Sequence, residues 1–231
     1  MQIELPKLVT NYNKLVMLIP LYGCIPSATA MSLLSLQNAL LALGFRLSLI
    51  MTDMTTVAQA RNLMAKHIAA KADKYDLVMW LDSDQTLSLE QFLMLLQIFH
   101  ALKPTDILSP KILGKALDAP YTNGMWVTED QRFNLVPPTA TGLIEVDAVG
   151  FGCVLMCPAI LARMQEAHPH QFCPELVNDV TGIVGEDVTW CWKLKKLAPE
   201  TRFFYAADIC IGHVGAEVGE NVVKLLKGKG K

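Results

Sequence analysis

No stretch of this 231-residue chain stays apolar long enough to cross a bilayer. The run at 15–22 is broken by Pro20, and the run at 148–161 by Gly150, Gly152 and Pro158. The opening Met1-Gln2-Ile3-Glu4-Leu5-Pro6 has no basic stretch leading into an apolar one, so it does not read as a signal peptide. The six cysteines, at 24, 153, 157, 173, 191 and 210, include no Cys-x-x-Cys pair. With several of them inside apolar runs, that argues against a zinc site and for buried thiols in a reducing cytoplasm. Charge is also scarce, at 18% of residues with a net charge of −2. Four lysines fall within Lys224–Lys231, so the rest of the chain is more acidic still. Such a body does not bind polyanions by electrostatics, and the lysines read as a solubilising end. There is no internal repeat.

What the chain has is apolar content, 52%, enough for a sizeable core. Its first half alternates strand and helix signals, which implies parallel strands with crossover helices. Leu15–Ile19 is a strand stopped by Pro20. A helix follows from Thr29 to Leu43, ended by Gly44. Phe45–Met51 is a strand, and Thr56 with Gln59 opens a helix to Asp73 through a capping box. Leu77–Leu81 is a buried strand. Ser88 and Gln91 form a second capping box, before the apolar stripe Leu89, Phe92, Leu93, Leu96, Phe99. Asp106–Ser109 is a short strand. Residues 114–142, rich in Gly, Pro, Asn and Thr, read as loops with short β pieces. Leu143–Asp147 and Gly152–Met156 are strands, Pro158–Ala167 a helix, and 168–185 a long irregular segment. Glu186–Leu197 is a helix, and Arg202–Ile211 one or two strands. The expectation is one domain over 1–231. Residues 14–110 form its first half, 111–216 its second, and 217–231 a basic tail.

Several segments carry chemistry. Asp82-Ser83-Asp84 follows the 77–81 strand, and carboxylates at i and i+2 there face the crevice where open α/β sheets bind ligands. A divalent cation bearing a phosphate would offset their repulsion. A polar turn explains the triplet equally well. Ile19-Pro20-Leu21-Tyr22-Gly23 could form a lip against a base, or an ordinary turn. Asp53 at a strand tip can accept from a base N–H. Arg61 can meet a phosphate or the triplet's carboxylates, or lie on a solvated helix face. Gly150-Phe151-Gly152-Cys153 suggests close backbone approach to a ligand, or a bulge. Gly185-Glu186-Asp187 places two acids at a helix N-terminus, which the helix dipole alone explains, yet an acid there can also serve as a general base. In Gly212-His213-Val214-Gly215 a histidine between glycines has little packing to do, which favours a ligand role.

In order, the acidic triplet, Gly-Phe-Gly, Gly-Glu-Asp and Gly-His-Val-Gly, with Ala60-Arg61-Asn62 before them, resemble the GT-A fold glycosyltransferases. The likeness is to the inverting family 2 and its small bacterial and phage-encoded members, and it covers residues 14–216. It implies a Rossmann-like mixed sheet flanked by helices, with a nucleotide-sugar-binding half at 14–110, an acceptor and metal half at 111–216, and a place in the cytoplasm of a bacterial or a virus- or phage-infected host cell. It further implies a nucleotide-diphosphate sugar, UDP foremost, as donor and Mn2+ or Mg2+ as cofactor. Asp84 would ligate the ion, with His213 as second ligand or diphosphate contact. Asp82 would contact the ribose or a metal-bound water. Pro20, Tyr22, Asp53, Arg61 and Gly152 would line the nucleotide pocket. Asp187 would be the base and Glu186 its helper. The acceptor could be a glycan, a protein, a small molecule or a modified DNA base. Two rivals stand beside this reading. A nucleotidyltransferase would usually carry Lys or Arg near the first strand, and residues 20–30 have neither. A non-catalytic nucleotide-sugar or glycan-binding protein would not need Asp187.

Overall fold

The structure is a computed structural model that describes residues 12–21, 23–112, 123–127, 133–178 and 182–214. Tyr22, Gly215, the lysine-bearing end and much of 114–142 therefore lie outside the described residues. The elements run β1 (Lys14–Leu21), α1 (Ser27–Ala42), β2 (Arg46–Asp53), α2 (Val57–Ala69), a 3-10 turn at Ala72–Lys74, and β3 (Leu77–Leu81). Next come β4 (Gln85–Thr86), α3 (Leu89–His100), β5 (Ile107–Ile112), β6 (Gly124–Val127), β7 (Phe133–Leu135), β8 (Leu143–Val146) and β9 (Ala148–Val149). The last are β10 (Cys153–Met156), α4 (Pro158–Ala167), β11 (Glu175–Asn178), β12 (Gly182–Val184), α5 (Glu186–Leu197) and β13 (Phe203–His213).

An eight-stranded sheet runs β2-β1-β3-β10-β5-β13-β4, with β8 also paired to β13. β2, β1 and β3 are parallel neighbours, as are β5 and β13, while β10 runs antiparallel between β3 and β5. The carboxyl ends of β1, β2, β3 and β5 thus share one edge with the amino end of β10. Side chains alternate across the sheet, as the two-residue period of a strand requires. Leu77, Met79 and Leu81 join Leu15, Met17 and Ile19 beneath α1 and α3. Val78 and Trp80 join Val16 and Leu18 in the other core layer, with residues of α2, α4 and α5. Because both faces are covered, all five residues of β3 are buried, which is why its sequence is an unbroken apolar run.

Local chemistry explains most element ends. Ser88 and Gln91 make the expected reciprocal capping box on α3. At α2 only half of the expected box forms: Thr56 Oγ1 accepts from Gln59 N. Gly44, at φ +87°, ends α1 in a conformation that costs other residues a Cβ clash. Pro158 opens α4, where a missing N–H loses nothing.

Several boundaries differ from the sequence reading. β5 runs to Ile112, past the Ser109 end expected, because β13 pairs with it there on the far side of its register shift. β1 does not stop at Pro20. Its pairing with β3 ends at Leu18, so the proline interrupts no ladder on that side, and β1 continues beside β2 to Leu21. α2 ends at Ala69, not Asp73, and a 3-10 turn follows. The segment 168–185 is not wholly irregular, since β11 and β12 pair as an antiparallel hairpin within it. Phe203–His213 is one long strand whose register with β5 shifts between Ala206 and Cys210. All six cysteines are free, but only Cys153 and Cys191 are buried as expected; Cys157 is half-buried, and Cys24, Cys173 and Cys210 are exposed, standing in loops or on the open face of β13. No described helix is long and apolar enough to cross a membrane.

Candidate active site

β3 delivers Asp82 and Asp84 to the edge where the parallel strands end. Asp82 N donates to Gly152 O at 2.8 Å, and Gln85 N to Asp82 O at 3.0 Å, which closes a tight turn over the triplet. β4 then pairs antiparallel with the end of β13, setting Gln85 opposite His213. Val214 N donates to Asp84 O at 3.0 Å. This pairing brings His213 Nε2 to 3.3 Å from Asp84 Oδ2, although 129 residues separate them. Gln85 Nε2 donates to Asp84 Oδ1 at 3.3 Å.

These groups open onto a cleft of about 320 Å³, lined by Arg61, Asp82, Asp84, Gln85, Ile112, Asn123, Met125, Leu135, Gly150, Phe151, Gly152, Asp187 and His213. Eight residues of the segments singled out from the sequence therefore meet there: Arg61, Asp82, Asp84, Gly150, Phe151, Gly152, Asp187 and His213. Pro20 and Asp53 do not line this cleft. Pro20 is buried in β1, and Asp53 is exposed at the tip of β2, where Gly23 N lies 3.5 Å from its Oδ1.

Arg61 is the electrostatic centre. Its side chain is 4% exposed, and its Nη2 donates to Asp82 Oδ1 at 2.8 Å while Nη1 donates to Glu186 Oε1. Of the roles open to Arg61 in the sequence, the structure shows a contact with the triplet. Burial opposes its charge, but Asp82, Glu186 and Asp187 outweigh that and raise its pKa. Burial pushes the Asp82 carboxyl above its ordinary range; Arg61 pulls it down, and Asp84 and Asp187 push it up again. Glu186 is likewise raised by burial against the pull of Arg61. Glu186 thus spends its carboxylate on Arg61, whereas Asp187, its neighbour at the start of α5, faces the cleft. Asp187 Oδ1 accepts from Val188 N at 2.8 Å. Burial drives the Cys153 and Cys191 thiols far up, so neither offers a thiolate.

The two glycines have a use the sequence left ambiguous. A Cβ on Gly152 would stand 2.7 Å from Ile112 Cδ1 and 3.7 Å from Asp82 Oδ2. One on Gly150 would stand 3.2 Å from Asn123 Cβ and 3.5 Å from Asp187 Oδ2. Close approach is real here, and the approaching atoms belong to the cleft's own walls.

Sequence reasoning missed Asn123. Its Oδ1 accepts from Ile112 N at 2.8 Å, its Nδ2 donates to Ser109 Oγ at 2.7 Å, and its carbonyl accepts from Gly150 N at 2.8 Å. It ties the end of β5 to the glycine turn, from a stretch without a usable period. Gln85 was closer to hand, being the residue after the triplet.

Among the described residues, no group of three or more His, Cys, Asp or Glu side chains converges to hold a metal ion. Two do converge, Asp84 and His213. A carboxylate and an imidazole at 3.3 Å fit an ion that takes two protein ligands and completes its shell with phosphate or water oxygens. They do not fit a closed protein cage.

No protein-family model and no curated protein matches the chain. Solved structures do. The structure of GalNAc-T7 with UDP, GalNAc and Mn2+ superposes at a TM-score of 0.57 with 13% identity, over 88% of this chain and 44% of that one. The chain therefore spans less than half the length of that transferase. A197 from STIV superposes at 0.54 with 16% identity, over 87% of this chain and 85% of that one. The fold is GT-A-like: a mixed α/β sheet flanked by helices.

Proposed function

We propose that the chain is a metal-dependent glycosyltransferase that moves a sugar from a nucleotide-diphosphate sugar, UDP foremost, to an acceptor hydroxyl with inversion. The observation that carries this reading is the meeting of Asp84–His213 and Asp187 on one cleft at the carboxyl ends of the parallel strands. Donor handling and proton transfer need different groups within reach of one anomeric carbon, and this cleft offers both. The likeness in fold to a transferase solved with UDP, GalNAc and Mn2+ adds to it.

In this reading Asp84 and His213 hold Mn2+ or Mg2+, which when bound supplies positive charge to the diphosphate leaving group. Asp82, oriented by Arg61, contacts the ribose or a metal-bound water. Asp53, exposed at the tip of β2 and outside the described cleft lining, accepts from the base. Asp187 takes the proton of the acceptor hydroxyl as its oxygen attacks the anomeric carbon and the bond to the diphosphate breaks. A single displacement is favoured because the cleft's described lining residues offer no nucleophile beyond the acids already assigned. A nucleotidyltransferase is disfavoured: Arg61, the one Lys or Arg among the cleft's described lining residues, is already held by Asp82 and Glu186.

Calorimetry of UDP with and without Mn2+, on the parent and on Asp84→Ala, tests the reading. The parent should bind UDP more tightly with Mn2+, and the variant should lose that gain. Equal UDP–Mn2+ binding by the two proteins would reduce the triplet to a turn and overturn the assignment. A hydrolysis screen over UDP-, GDP- and dTDP-sugars then identifies the donor.

A further inference from the structure

Arg61 and Asn62 are consecutive residues of α2 that grip two distant segments. Asn62 spans the backbone of Phe172 with both ends of its amide. Its Nδ2 donates to Phe172 O at 2.6 Å, and its Oδ1 accepts from Phe172 N at 2.9 Å. Phe172 is buried and lies flat on Trp190, with centroids 5.7 Å apart and planes 12° apart. Trp190 sits one helical turn beyond Asp187 on α5. Thr189 Oγ1 donates to Cys173 O at 2.7 Å, which fastens the same segment to α5 a second time. Arg61 meanwhile holds Glu186, the first residue of α5, and Asp82 at the end of β3.

We propose that Asn62 and Arg61 are a positioning pair for Asp187. Asn62 acts through Phe172 and Trp190 to set where the first turn of α5 lies. Arg61 acts through Glu186 to set the same turn relative to Asp82. The inference rests on the assignment of Asp187 as base, but its structural half does not. A primary amide donates to the carbonyl and accepts from the N–H of one residue from two different atoms, and a guanidinium reaches two carboxylates from two nitrogens in a fixed fork. The two tethers differ in consequence. Asn62 itself makes no hydrogen bond to Asp82, Asp84 or His213, and its bonds go to the backbone of Phe172, whereas the Arg61 tether is shared with Asp82.

Asn62→Ala, Asn62→Asp and Arg61→Lys test this in the full chain through three measurements. These are amide exchange at residues 186–191, the Kd for UDP–Mn2+, and kcat for hydrolysis of the UDP-sugar that the donor screen selects. Asn62→Ala should quicken exchange at 186–191 by about 10-fold and lower kcat by about 10–100-fold, the scale of a misplacement near 1 Å. Its UDP–Mn2+ Kd should stay within about 3-fold of the parent, as befits a lost orientation and not a lost contact. Asn62→Asp keeps the acceptor but sets a carboxylate oxygen against Phe172 O, which repels it, so its effects should be at least as large and in the same order. Arg61→Lys should lower both affinity and kcat. A lower melting temperature with unchanged kcat, measured well below that temperature, would mark Asn62 as merely structural and overturn the proposal. So would exchange at 186–191 that matches the parent. If the parent itself neither binds UDP nor hydrolyses a UDP-sugar, the functional reading fails, and exchange alone then decides the tether.

Discussion

Replacing Arg61 with methionine keeps most of the side-chain volume and removes a charge that several carboxylates share. The Arg61 side chain is 4% exposed, that of Glu186 14% and that of Asp82 30%. Removing one partner of a buried ion pair costs about 3–5 kcal/mol, because the other charge is left stranded. Glu186 meets that condition. Asp82 is partly hydrated and adds a smaller share. At roughly 2–4 °C per kcal/mol for a chain of this size, the melting temperature near neutral pH should fall by about 6–20 °C. The pH dependence is the sharper test. Burial raises the Asp82 and Glu186 carboxyls above their unfolded values, and Arg61 restrains that rise. The folded chain therefore holds more protons on these two groups than the unfolded chain does. Their contribution to stability is then least favourable above the raised folded values and improves as pH falls through them. Without Arg61 the folded values rise further, so the variant gains more from acidification than the parent. The gap in melting temperature should be widest near neutral pH and should narrow as the solution is acidified toward the ordinary carboxylate range. Thermal melts of both proteins by circular dichroism across that range measure it. A gap that stays constant or widens on acidification would refute the ion-pair account of Arg61.

Leu81→Ala should lower stability in urea by about 2–5 kcal/mol, because the side chain is fully buried at the end of β3. Gly152→Ala places a Cβ 2.7 Å from the flexible end of Ile112, so the chain should fold with a loss of about 1–3 kcal/mol. Ile112, displaced at the cleft wall, should weaken UDP binding in a calorimetric titration. Asp187→Asn should keep UDP–Mn2+ affinity while turnover falls by about 10²–10⁴-fold, the range for a positioned base. A matched loss of affinity would move Asp187 to the donor side.

Much of the fold was readable because its sheet is covered on both faces. A strand buried on two sides must be apolar throughout, and Leu77–Leu81 announces itself for that reason. α3 was equally plain, since its capping box and its apolar stripe agree. The errors fall where pairing, not local preference, decides. Pro20 reads as a stop, but whether a proline ends a strand depends on which neighbour still needs its N–H, and β3 has already parted from β1 there. The β11–β12 hairpin was missed because segment 168–185 has no two-residue period to expose it. Its pairing also carries an irregularity between Leu176 and Asn178.

The site divides along the same line. Asp82, Asp84, Asp187 and His213 could be picked out because each stands beside a turn or a helix start, where an acid or a histidine has little packing to do. What joins them could not be. Trp80, Phe151, Phe172 and Trp190 read as ordinary core residues, and they are core. Yet they form one cluster, with ring centroids from 4.9 to 6.0 Å apart and the Arg61 guanidinium 5.6 Å above Phe151. Each ring belongs to a segment that carries chemistry or holds one in place. Asp82 follows Trp80 by two residues, Gly150 and Gly152 flank Phe151, Phe172 is what Asn62 grips, and Asp187 precedes Trp190 by three. Close-packed aromatic rings transmit displacement, because an interior at crystal density has no slack to absorb it. The relative placement of Asp82 and Asp84, the glycine turn and the candidate base is therefore set by packing that lies behind the cleft. A residue such as Phe172 is not among those lining the cleft, and its truncation should still disturb the whole arrangement. No periodicity or motif in the sequence could have revealed that dependence, because the four rings are far apart in the chain and adjacent only in the fold.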